Sequence, residues 1–188
     1  MTNAKSKVYN SAMLQYICNI AELWFGPVGY VAGDDGLLVA VFLPESEPGS
    51  NAPSYQVRRI MEAFPGVRED KGLLPEFAAE LAGYSAGRVR EFSVRVDLSG
   101  LPDFSRRVLE RTRRIPFGET LTYGQLAAEC GNVKACRAVG MVMARNPLPL
   151  VIPCHRVLAG DGSLGGFSGG LDLKRKLLAH EGAVGSLV

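Results

Sequence analysis

At Ser99-Gly100-Leu101-Pro102 the last period-two run of this chain ends and helical periodicity takes over, and that boundary predicts two folding units of different kind. Upstream, Phe92, Val94, Val96 and Leu98 alternate with Ser93, Arg95 and Asp97, the period-two signature of a strand over Glu91 to Leu98. Val28 to Ala32 and Leu37 to Leu43 flank Gly33-Asp34-Asp35-Gly36, which predicts a β-hairpin. Pro44 to Ser54 reads as a loop, and helices are expected over Tyr55 to Phe64 and Leu74 to Ala82. Residues 1–100 are thus expected to form an α/β domain, a small antiparallel sheet with helices packed on it. No catalytic constellation stands out in them.

Downstream the period becomes helical, so residues 101–188 are expected to form a second, mainly α domain. Asp103 can cap a helix running to about Arg114, ended by Pro116-Phe117-Gly118. Thr122-Tyr123-Gly124-Gln125 has the spacing of a capping box, in which the Thr oxygen and the Gln side chain satisfy each other's backbone donors, and it opens a short helix through Glu129. After Gly131, Asn132 is placed as the N-cap of a helix from Val133 to about Arg145, stopped by Asn146-Pro147. Ala135, Ala138, Val139 and Val142 form its apolar stripe, with Lys134, Arg137, Met141 and Arg145 on another side. Two short helices about a tight turn, the second with a basic outer face, make a helix-turn-helix candidate. A final helix is expected over Leu171 to His180, with His180 exposed.

Charge follows the same division. Residues 1–100 carry 9 Lys/Arg against 12 Asp/Glu, and residues 101–188 carry 12 against 7. A basic second half makes a polyanion worth testing as partner, although a charged face is more often just solvated. No stretch reaches the eighteen or so apolar residues of a membrane span, and Met1 to Lys7 lacks the apolar run of a secretory signal. A cytoplasmic protein, or a nuclear one in a eukaryote, is therefore expected.

Such a compartment keeps Cys18, Cys130, Cys136 and Cys154 reduced, and without a CxxC pair no metal site is expected. A buried thiol usually behaves as a small hydrophobe. Cys154 differs in its flanks: Pro153, His155 and Arg156 follow the apolar run Leu150-Val151-Ile152. The thiolate is the reactive species and nearby cations favour it, so Cys154 is the candidate nucleophile. If the segment is extended, His155 faces away from Cys154 and a bridging water is the expected link. Gly160-Asp161-Gly162-Ser163-Leu164-Gly165 matches GxGxxG, but too little chain follows for a βαβ unit, so it is read as a loop near the cysteine.

Residues Phe104 to Ala183 resemble the O6-alkylguanine-DNA alkyltransferases, also called methylated-DNA–protein-cysteine methyltransferases. The resemblance runs through Ile115 to Thr120, Thr122-Tyr123-Gly124, Arg137-Ala138-Val139-Gly140, Asn146-Pro147, Ile152 to Arg156, Gly169-Gly170-Leu171 and Leu178 to Gly182. It implies a ribonuclease-H-like first domain and a winged helix-turn-helix in the second. It also implies single-use DNA repair without a cofactor: Cys154 takes the alkyl group from O6-alkylguanine, and from O4-alkylthymine as a second lesion. His155 and Glu181 would activate the thiol, Asn146 would tie the helix-turn-helix to the cysteine segment, and Tyr123 would contact the target nucleotide. Arg137 would fill the stack left by the extruded base, with Lys134, Cys136 and Ala138 at the minor groove. Met143, Pro149, Val157, Phe167 and Ser168 would wall the guanine pocket.

The implied partner is double-stranded DNA carrying the lesion, with a monomer expected in solution and cooperative binding left open. Leu109 and Phe167 depart from the family, which usually has Trp and Tyr there, and this puts rate and substrate range in question. Three rival readings fit the residues less well. A lesion-sensing relative would lack the cysteine, a cysteine hydrolase would show its own signature, and a plain helix-turn-helix regulator leaves Pro153 to Arg156 unexplained.

Overall fold

The computed structural model describes residues 15–45 and 52–183. Met1 to Lys7 and most of the Pro44 to Ser54 loop lie outside them. The chain divides into two compact units, 1–100 and 101–188.

In the first unit, β1 (Tyr16–Leu23), β2 (Gly26–Gly33) and β3 (Leu38–Phe42) form an antiparallel meander. The predicted hairpin is β2–β3, and Gly36 closes its turn in the left-handed region at φ 74°. Two expectations need correction. The sheet is mixed, with order β3-β2-β1-β4, because β4 (Arg68–Glu69) pairs parallel to β1. Residues 91–98 form no strand; they make one bridge, Leu38 to Val96, although Phe92 and Leu98 are buried as the alternation requires.

The predicted helices are α1 (Pro53–Ala63) and α2 (Pro75–Ser85), each with proline in its first turn, where the missing N–H costs nothing. Helix α1 lies directly on β2: a Cβ on Gly29 would stand 2.7 Å from Ile60 Cδ1, so any larger residue would have to displace that side chain. Cys18, Val31, Phe42, Ile60 and Phe64 are buried together there.

The second unit holds α3 (Asp103–Arg113), β5 (Leu121–Thr122), α4 (Tyr123–Glu129), α5 (Cys136–Ala144), β6 (Val157–Leu158) and α6 (Leu171–His180). Asp103 does not cap α3: Pro102 is the N-cap, and Asp103, one position later, pairs with Arg106 at 2.5 Å. The capping box at α4 forms, with Gln125 N donating to Thr122 Oγ1 at 3.1 Å and Thr122 N to Gln125 Oε1 at 2.8 Å.

Helix α5 starts three residues later than Val133. The Asn132 side chain is spent on a local turn, accepting from Lys134 N at 3.0 Å, and Ala135 becomes the N-cap. Ala138, expected in the apolar stripe, is exposed, and Val139, Val142 and Met143 face inward. Leu109, at the position where the family has Trp, is fully buried on α3.

Candidate active site

Helix α5 ends at Asn146-Pro147, and the chain then folds into successive tight turns instead of a strand. Asn146 holds both ends of this segment, donating from Nδ2 to Ile152 O at 2.8 Å and accepting from Leu148 N at 3.0 Å. Leu150 takes φ 74°, a left-handed conformation that costs an ordinary side chain about 1–2 kcal/mol. The turns deliver Cys154, His155 and Arg156 as a single buried 3₁₀ turn. The expectation of an extended segment is thereby corrected, and with it the argument that put His155 on the face opposite Cys154. All three side chains are buried, Cys154 at 4% exposure.

Around this turn sits a buried ionic network. Glu181, just past α6, accepts from His155 Nε2 at 2.9 Å and from Arg156 Nε and Nη2 at 2.7 and 2.9 Å. Arg156 Nη1 donates to Ile115 O at 2.6 Å, and Gly118 N reaches Glu181 at 3.4 Å. Burial alone would raise the Glu181 pKa, but the bonds from His155 and Arg156 outweigh it and hold the carboxyl ionised, well below its ordinary range. Burial pushes the His155 pKa down, so the imidazole is neutral. With Nε2–H committed to a carboxylate, Nδ1 carries the lone pair. It is buried with no hydrogen-bond partner among the described residues.

Beside the turn is a cavity of about 390 Å³ whose walls include Tyr123, Gly140, Ala144, Gly166, Phe167 and Ser168. Three of these, Tyr123, Phe167 and Ser168, were singled out from sequence. The other expected pocket residues, Met143, Pro149 and Val157, are buried in the interior, where Met143 Sδ lies 3.8 Å from Thr112 Oγ1. Phe167 stands edge-on to His155, with ring centroids 6.3 Å apart. Tyr123, first residue of α4, meets the loop at Gly165, where a Cβ would fall 3.0 Å from its ring. Burial first, and then negative charge on Cys154 and Cys136, raise its pKa, so its hydroxyl keeps its proton.

Cys136, Arg137 and Ala138 are exposed on α5, with Lys134 exposed in the turn before it. His180 is half-buried against Phe117 and not exposed as expected, with ring centroids 6.3 Å apart.

Sequence reasoning missed Arg156 as the second partner of Glu181 and Lys174 as a buried cation of α6. A helix position whose neighbours Leu173, Leu177 and Leu178 are all buried was the available signal for Lys174. Among the described residues, no group of three or more His, Cys, Asp or Glu is placed to hold a metal, and no helix is long and apolar enough to cross a membrane.

Comparison with known proteins gives this geometry its context. Residues 103–183 match the family model for the 6-O-methylguanine DNA methyltransferase DNA-binding domain. A methylated-DNA–protein-cysteine methyltransferase of Methanosarcina acetivorans is 41% identical over 164 residues, which cover 87% of this chain and 97% of the relative. The chain belongs to the methylated-DNA–protein-cysteine methyltransferase family. The Mycobacterium leprae member is 41% identical over 128 residues, covering 68% of this chain and 74% of that one. Among solved structures, the Mycobacterium tuberculosis O6-methylguanine methyltransferase superposes with TM-score 0.73 at 32% identity, covering 91% of this chain and 94% of that one. The methyltransferase fold therefore extends through both units.

Proposed function

We propose that this chain repairs DNA by moving the alkyl group of O6-alkylguanine onto Cys154, once per molecule. One observation carries the assignment to Cys154: the thiol lies in a turn with His155, whose neutral imidazole is held by an ionised Glu181 and keeps an unpartnered Nδ1. A water between Nδ1 and the thiol would pass the Cys154 proton to His155. The sulfur then displaces guanine O6 at the alkyl carbon, forming the S–C bond as the C–O bond breaks. The electron pair enters the purine, which takes a proton from the Tyr123 hydroxyl. Solvent then carries the proton from His155 back to the Tyr123 phenolate, so the proton lost by the thiol equals the one gained by guanine. The thioether product cannot be hydrolysed under mild conditions, so the protein is consumed.

A thiol this deeply buried cannot reach a base within the duplex, so the lesion must be swung out at a cost of a few kcal/mol. Arg137 on the exposed face of α5 suits the vacated space, since a guanidinium can stack and also pair with phosphate. Cys136 and Ala138 beside it are small enough for close approach to the minor groove. DNA binding by this face is favoured by the basic balance of residues 101–188 and by a solved relative, the Mycobacterium tuberculosis protein in complex with DNA, with TM-score 0.73 at 31% identity and coverage of 90% of this chain and 93% of that one.

On this reading α4 and α5 are a winged helix-turn-helix, the first unit is a ribonuclease-H-like structural domain, and the protein works as a monomer on O6-alkylguanine, with O4-alkylthymine second. Met143, Pro149 and Val157 back the pocket that Tyr123, Phe167 and Ser168 line.

The test is a titration of a duplex carrying a single O6-methylguanine with the full-length protein. Demethylation should saturate at one lesion per protein and be absent in Cys154→Ser. Turnover of many lesions per molecule would refute the proposal.

A further inference from the structure

Lys174 is the one buried lysine among the described residues, and no step above uses it. It lies on the inner face of α6, between the apolar neighbours Leu173 and Leu177, and is fully buried. A lysine in such a place is expensive unless its ammonium is satisfied. Its Nζ donates to Val157 O at 2.7 Å and also to Leu164 O.

These two carbonyls belong to different parts of the site. Val157 begins β6, directly after the Cys154 turn. Leu164 precedes Gly165-Gly166-Phe167-Ser168, the stretch that meets Tyr123 and walls the cavity. Within the loop Ala159 N donates to Ser163 O, Gly162 N to Ala159 O and Ser163 N to Asp161 Oδ1, and Leu164 packs on Leu158, Leu178 and Ala183; Lys174 adds the polar tie from outside the loop. We infer that Lys174 is a positioning residue, a buried ammonium that clamps the 159–168 loop to the cysteine turn and so fixes the distance from the cavity wall to Cys154.

The clamp is charge-assisted, and charged donors make shorter and stronger hydrogen bonds than neutral ones. Methionine at position 174 would keep the packing and lose both bonds. Glutamine would keep a neutral amide donor on a shorter stem. Burial lowers the lysine pKa to about 8, an effect partly opposed by negative charge on Cys154, so the group is still mostly protonated at neutral pH.

The inference rests on Cys154 as the alkyl acceptor, but two of its tests do not. In the native full-length protein an amine-reactive acyl reagent should modify the exposed Lys176 and spare Lys174; equal labelling would overturn the clamp without any variant. In Lys174→Met, amide hydrogen exchange should accelerate in 159–168 while α3 and α5 keep their protection. Unchanged loop exchange would overturn it.

For function, the half-saturating concentration of unattached O6-benzylguanine should rise about tenfold in Lys174→Met and less in Lys174→Gln, since small misplacements of a positioning group have effects of this order or larger. Modification of Cys154 by iodoacetamide, which needs no cavity wall, should change far less. Parallel loss of both reactions would contradict a positioning role. Failure of the wild-type protein to alkylate Cys154 would defeat the proposed function and leave the labelling and exchange results standing.

Discussion

Cys18 and Cys154 are both buried thiols, 1% and 4% exposed, and their surroundings differ in kind. Cys18 sits on β1 among Val31, Ile60 and Phe64, where burial, assisted by Glu69, pushes its pKa up to about 11. Nothing there stabilises a thiolate, so it packs as a small hydrophobe. Cys154 is set in a turn of charged and titratable residues: His155 and Arg156 in sequence, Glu181 bonded to both, and Lys174 close enough to feel its charge. Depth of burial does not distinguish the two cysteines. What distinguishes them is the set of ionic side chains buried alongside Cys154, which are costly to desolvate and which the proposed alkyl transfer would use.

Breaking that network should erase the contrast. Glu181→Gln leaves Arg156 buried without its carboxylate, and removing one partner of a buried pair costs about 3–5 kcal/mol. Denaturant unfolding should show that loss. The rate of Cys154 alkylation should fall about 10²-fold or more, because His155 loses the group that sets its tautomer. Glu69→Gln, beside Cys18, should do neither.

The DNA-facing residue is separable from the thiol. Arg137→Ala should slow repair of duplex lesions about tenfold or more, while reaction with unattached O6-benzylguanine, which needs no extrusion, stays within about twofold. Equal losses on both substrates would remove Arg137 from the extrusion step.

A smaller effect is expected at the two edges of the pH range. His155 and Glu181 have folded pKa values below their unfolded ones, so the unfolded chain binds more protons and the second unit loses stability as pH falls below about 6.5, and further below about 4.5. Cys18 is shifted upward, so the folded first unit holds its proton longer and loses stability as pH rises above about 9. Hydrogen exchange read separately in 16–42 and 154–181 should show acid loosening in the second range and alkaline loosening in the first. The same response in both would contradict the assignment.

The cysteine turn was legible because its residues are contiguous, whereas Asn146, Tyr123 and Glu181 were reached only through the family resemblance. Cys154, His155 and Arg156 are neighbours, and the Thr122–Gln125 capping box is a local device that folded as read. Long-range features were not legible. Strand β1 carries the polar Asn19 at a buried position, satisfied by Tyr30 Oη and Lys71 O at 3.0 Å each, and no sequence period reveals a partner eleven or fifty-two residues away. Residues 91–98 have the alternation of a strand but pair at a single bridge, because alternation reports burial and not hydrogen bonding. The cysteine segment looks extended from its apolar run, whereas Asn146 and a left-handed Leu150 fold it into turns. For Lys174 the apolar neighbours Leu173, Leu177 and Leu178 were a local signal of burial, but the two carbonyls that hold its ammonium lie ten and seventeen residues away.

The most direct test is a cysteine map. Full-length protein is incubated with excess O6-methylguanine duplex, and the four cysteine peptides are read by mass spectrometry. A single methyl group on Cys154, with Cys18, Cys130 and Cys136 unmodified, is the predicted result. Methyl groups on another cysteine, or an unmodified Cys154, would contradict the claim that its ionic surroundings make it the acceptor.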